Sequence, residues 1–156
     1  MVVALFLYLL ALVCWLGGMV FFSALFAPLV FKVLPLTEAG KLQAALFPRY
    51  YLLGYLCGAV ALILAIFLCA TRVPRMWWAV AAFLLIVALA LTVYAGAVVR
   101  PQVDQIRGVT EEANPDPTRR AEFDRLHRLS VMLNGGVMLL DLAALFASAA
   151  ALAWHG

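Results

Sequence analysis

Four long apolar runs divide this chain: Val2 to Phe31, Phe47 to Ala70, Trp77 to Val99 and Leu129 to Trp154. Each meets the roughly 20 residues that a helix rising about 1.5 Å per residue needs to cross the hydrocarbon of a bilayer. The first run exceeds that need, so its helix is expected to tilt or to project past the membrane surface. Nothing between the runs is large enough for a soluble domain. The pattern therefore predicts an all-α chain, residues 1–156 forming one integral membrane four-helix bundle. Met1 is followed directly by Val-Val-Ala-Leu-Phe, with no basic segment, so the first run reads as a retained span and not a cleaved signal.

Breakers and polar residues place the connections. In KVLPLTEAGKLQAALFPRYY, Pro35 ends or bends the first helix and Thr37 is suited to cap a new one. Leu36 to Leu46 is expected to form a short interfacial helix, with Pro48 at the membrane entrance as a kink or a helix start. Six residues, Thr71 to Met76, make spans two and three antiparallel neighbours. After Arg100 the chain is expected to extend span three as a surface helix and to break at Asn114-Pro115-Asp116-Pro117. Asp116 or Thr118 then starts the helix that becomes span four.

Charge adds an orientation. Only 12% of the residues are charged, against about 25% in soluble domains. Of the eleven Lys and Arg, nine lie in the two long connections and two, Arg72 and Arg75, in the short turn. By the positive-inside rule the long loops are cytoplasmic and both termini outside, in a bacterial inner membrane. The formal charge of +3 reports this orientation and gives no reason to invoke nucleic acid. The expected partners are the lipid bilayer and further copies of the chain. Arg49, Tyr50 and Tyr51 suit the headgroup belt. Cys14, Cys57 and Cys69 all lie in apolar segments without a CxxC pair and read as small buried hydrophobes.

The fourth run carries the polar residues that need a reason. His127, Asn134 and Asp141 recur every seven residues, with Ser130 beside them, so they form one helical stripe. An ionised Asp at the bilayer centre costs roughly 2.5–3.5 kcal/mol, so Asp141 must face the bundle, carry a proton or meet a partner. Thr92, Tyr94, Ser23 and a second subunit are the candidates. Three readings stand: a hydrogen-bonding seam, a site for a cation, proton or substrate, or a position near the outer surface. His127 is either a hydrogen-bonding residue at the cytoplasmic mouth or a metal or heme ligand, and one histidine makes a poor zinc site. Gly17, Gly18, Gly54, Gly58, Gly135 and Gly136 are candidates for close helix packing, Gly54 and Gly58 at small-xxx-small spacing. There is no GxSxG, HExxH, P-loop or pair of carboxylates within a span, so catalysis has little to stand on.

Taken in order, CWLGGMVFFSALFAPLVFKVLP, AGKLQAALFPRYY, RPQVDQIR and FDRLHRLSVMLN resemble the transmembrane protein 205-like family, whose domain has no known function. The resemblance is carried by Trp15, Gly18, Leu34, Pro35, Gln43, Leu46, Phe47, Pro48, Tyr50, Arg100, His127, Ser130 and Asn134, and Asp141 falls outside it. It implies a four-span protein and leans toward transport or handling of a small cationic or metal-like solute by an oligomer. Distant similarity to copper-resistance proteins and heme-associated oxidases implies an alternative, a heme- or metal-binding redox protein. This chain lacks the Met and His clusters of a dedicated copper site. A non-catalytic membrane assembly partner is the third reading.

Overall fold

A computed structural model of the chain describes residues 1–107 and 116–154. They form four helices, each long and apolar enough to cross a membrane: α1 (Val2–Val33), α2 (Leu36–Thr71), α3 (Arg75–Ile106) and α4 (Pro117–Ala153). No strand occurs among the described residues. The protein is an all-α, four-helix membrane-spanning bundle. The expected Asn114-Pro115 part of the break and His155 lie outside the described residues.

The helices enclose the apolar runs and overshoot them. The segment Leu36 to Leu46 is not a separate interfacial helix, because α2 passes unbroken through Pro48. Proline removes one N–H from the ladder, and the Arg49 guanidinium donates to the neighbouring Ala45 carbonyl at 3.0 Å. Nor does Thr37 cap α2: Pro35 occupies the cap position, and no side chain bonds the helix start. At α4 the sequence signal holds, with Asp116 accepting from the Thr118 backbone N–H at 3.0 Å and Pro117 opening the helix.

Two wide turns interrupt the regular winding, a π segment at Phe21–Phe26 in α1 and another at Ala95–Val99 in α3. Each stands directly before a proline, Pro28 and Pro101, whose ring would press on the carbonyl four residues back. A widened turn gives that carbonyl room and lets both helices continue.

Packing follows a 3.5-residue repeat. Buried positions alternate four and three apart along α2 (Gly54, Gly58, Ala61, Ala65, Leu68) and α4 (Val137, Asp141, Ala144, Ser148, Ala151). In α3 the same rhythm runs from Trp78 through Leu85 and Thr92 to Val99. Such a repeat keeps one seam turned to its neighbours in a left-handed bundle. Most seam residues are Gly or Ala, so the backbones approach closely, and large apolar residues such as Phe6, Ile63, Phe83 and Phe146 face outward to lipid. α3 packs most extensively on α4 and α2, and α1 leans on α2 and only lightly on α4. That light α1–α4 seam holds the site.

Candidate functional site

The seven-residue spacing on α4 places Asn134 and Asp141 one heptad apart on the face that meets the bundle, and Ser148 continues it. Asn134 is a three-helix junction. Its amide nitrogen donates to Ser23 Oγ of α1 at 2.9 Å, and its carbonyl oxygen accepts a short hydrogen bond from the Tyr50 hydroxyl of α2. Tyr50 is steadied by Phe22, with ring centroids 4.8 Å apart, and Phe22 in turn by Phe47 at 5.5 Å. The π segment of α1 carries both Phe22 and Ser23.

At the far end, Tyr8 of α1 lies 2.6 Å from Ser148 Oγ. Ser148 spends its own proton on the Ala144 carbonyl at 2.7 Å, so the Tyr8 phenol is the donor. Tyr8 also meets Trp78 edge to face at 5.6 Å. Between the two clusters sits Asp141, fully buried, with Tyr8 and Tyr50 within electrostatic reach. Neither of its carboxylate oxygens has a hydrogen-bond partner among the described residues. None of the expected partners within the chain serves it: Thr92 bonds the Ala88 carbonyl of its own helix, Ser23 is taken by Asn134, and Tyr94 is half exposed.

A cavity of about 640 Å³ opens between the loop-side ends of the helices. Its walls bring together Gln43, Phe47 and Tyr50 of α2, Arg100 of α3, and His127, Ser130, Asn134 and Gly135 of α4. It therefore collects most of the sequence candidates. Pro48 and Arg49 stand outside it, exposed on the outer side of α2, and Asp141 lies deeper. A small inner space of about 20 Å³ adjoins Tyr50, Tyr51 and Asn134 and reaches Trp15, Gly54 and Thr92, room for about one water. At the loop end, one carboxylate serves two arginines: Asp104 Oδ1 lies 2.8 Å from an Arg107 terminal nitrogen, and Oδ2 lies 3.3 Å from Arg100 Nε. Arg107 also donates to the Gly40 carbonyl at 2.6 Å, tying α3 to α2. The His127 ring lies parallel to Phe123, centroids 6.1 Å apart. Among the described residues no group of three His, Cys, Asp or Glu side chains comes together to hold a metal.

The glycines divide sharply. A Cβ on Gly58 would sit 2.8 Å from two Trp15 ring carbons and 2.9 Å from Leu89 Cδ1. At Gly54 it would meet Trp15 Nε1 at 3.1 Å, and at Gly18 Leu53 Cδ2 at 3.2 Å. Gly17, Gly135 and Gly136 have open space beside them, so close approach is used at three of the six candidates only. Gly135 instead leaves a bare patch of cavity wall. Sequence reasoning missed Gly96, where a Cβ would collide with Tyr51 and Tyr55. It missed Ser148, although the seven-residue spacing pointed there, and Tyr8, which no pattern singles out from the apolar run. Arg107 counted only toward orientation.

Residues 10–112 match the family described as a domain of unknown function, DUF4149. The match spans about two thirds of the chain, and the chain belongs to that family. The resemblance seen in the sequence, to four-span proteins of unknown function, agrees with it. Ser23, Tyr50, Arg100 and Arg107 lie inside the matched stretch, and the α4 stripe lies beyond it. No curated protein and no solved structure matches.

Proposed function

We propose that this membrane protein takes a small solute into the loop-side cavity and hands it on along the α4 seam, a transport or solute-handling role exercised as an oligomer. The observation that carries the reading is a cavity of about 640 Å³ ending on the Ser23–Asn134–Tyr50 junction. Ligand sites of about 300–1,000 Å³ lined mainly by apolar residues with a few convergent polar groups are the usual form. With nine of the eleven basic residues on that side, the cavity faces the cytoplasm of an inner membrane. A cationic solute, or a proton moving against the solute, is supported by Asp141, the one acid inside a span, whose buried oxygens have no partner among the described residues.

The test is thermal unfolding of the full chain in nanodiscs against panels of metal ions, organic cations and organic anions, with Gly135→Leu as the blocked control. The added side chain at Gly135 enters open space and projects into the cavity. A ligand class that stabilises the wild type and not Gly135→Leu supports the role. Panels that move neither protein sink it.

A further inference from the structure

Asp141 allows either a cationic solute or a proton moving against the solute, and the lining of the cavity decides between them. Arg100 and Arg107 line it toward the loops and the Ser23–Asn134–Tyr50 junction lines its inner part, with Gln43, His127 and Ser130 among its other polar groups. The apolar wall includes Phe31, Phe47, Val103 and Met138. Among the described residues no Asp or Glu lines the cavity. Asp104, standing just outside, supplies one negative charge to two guanidinium groups.

Arg100 is the less engaged of the two guanidinium groups. Arg107 is engaged by the Gly40 carbonyl and by Asp104. Arg100 faces Asp104 only through Nε, at 3.3 Å, and Nε makes no aligned hydrogen bond among the described residues. The outer fork of a guanidinium matches a carboxylate or phosphate with two parallel N–H···O bonds, and a lysine ammonium does not. A hydrated inorganic anion would pair with that fork and leave the aromatic and aliphatic wall wetted. A neutral apolar molecule would cover the wall and leave the guanidinium unmatched. One ligand class satisfies both.

We infer that the cavity binds an amphipathic organic anion, a single carboxylate or phosphate head on an apolar body, with Arg100 gripping the head and Phe31, Phe47, Val103 and Met138 covering the body. This rests on the solute-binding reading above and deepens it. Such an anion could come from the cell as a free amphiphile or from the bilayer as an acidic lipid, and the chemistry of recognition is the same.

The test measures binding of dodecanoate, dodecyl phosphate, dodecylammonium, dodecanol and inorganic phosphate to the full chain in phosphatidylcholine nanodiscs, with Gly135→Leu discs subtracting partition into lipid. Dodecanoate and dodecyl phosphate are expected to bind at least about tenfold more tightly than dodecanol and dodecylammonium, the worth of a hydrogen bond to a charged group. Arg100→Gln should erase that preference. Arg100→Lys should reduce it while keeping the charge, and it carries the test if the glutamine variant does not fold. Equal or tighter binding of dodecanol or dodecylammonium, still lost in Gly135→Leu, overturns the anionic head and leaves the solute cavity standing. Binding of every probe indifferent to Gly135→Leu overturns both. Repeating the titration in phosphatidylglycerol discs separates the sources. A loss of dodecanoate affinity in the wild type, absent from Arg100→Lys, assigns the site to an acidic bilayer lipid, and an unchanged affinity assigns it to a free amphiphile.

Discussion

Asn134 is the residue at which the bundle and the cavity depend on one another. It holds α4 to α1 through Ser23 at 2.9 Å and to α2 through Tyr50, across the seam where α1 and α4 pack most lightly. Asn134→Ala removes both bonds and leaves two hydroxyls facing the vacated space. Interhelical hydrogen bonds in membrane proteins average about 0.6 kcal/mol and reach about 1.7, so the pair is worth roughly 1–3 kcal/mol. That corresponds to about 5- to 150-fold in the unfolding equilibrium. The assay is reversible unfolding in mixed micelles of increasing denaturing-detergent fraction, followed by tryptophan fluorescence. A cycle with Ser23→Ala isolates one arm and should give a coupling near 0.6 kcal/mol. Additive single-mutant losses, with no coupling, would refute the junction. A loss far above 3 kcal/mol would show that Asn134 holds more than the two bonds.

The remaining predictions use the same unfolding assay. Gly58→Ala forces a methyl against Trp15 and Leu89 at under 3 Å and should cost about 1–3 kcal/mol by overpacking; Gly17→Ala, beside open space, should be neutral or gain up to about 1 kcal/mol from helix propensity, and equal behaviour of the two would overturn the Trp15 contact. Asp141→Leu trades an unpartnered buried carboxyl for an apolar side chain and is expected to hold or raise stability, by up to about 3 kcal/mol; a marked loss means the carboxyl has a partner. Tyr8→Phe should cost only about 0.6 kcal/mol, because Ser148 keeps its bond to Ala144, and a cost above about 2 would assign the phenol a further role.

How much of this was legible in the chain depended on the range of the signal. Span number and the Asp116–Pro117 helix start are local and read directly. The extension of span three past Arg100 was read as well, but the unbroken passage of Leu36 to Leu46 into span two was not, because Pro48 reads as a break and the ladder continues through it. The His127–Asn134 stripe was visible as a seven-residue spacing. Its significance was not, since a seam position and a cavity-lining position look alike until the facing helix is known: Asn134 is both, and Asp141 only the first. Glycines gave the least. The small-xxx-small spacing marks Gly58 and not Gly17, but what makes Gly58 tight is the Trp15 indole, more than forty residues away in the chain, together with Leu89.

The stripe on α4 changes its character along its length, and that change follows from what faces it. At His127 and Ser130 the opposing elements stand apart and the side chains line open space. At Asn134 three helices converge, and every polar atom of the amide that bonds does so to another helix. At Ser148 the hydroxyl is enclosed between Tyr8 and its own helix backbone. Asp141 interrupts this progression from open to satisfied, since it is as buried as Ser148 and its oxygens are unpartnered among the described residues. A seam built only to pack would be served by another alanine, as at Ala144 and Ala151 in the same repeat. Membrane bundles place ionisable groups where something charged passes or binds. Asp141 lies one heptad past Asn134 and less than one turn past Met138, the deepest α4 residue lining the cavity, on the side that leads toward the other end of the bundle.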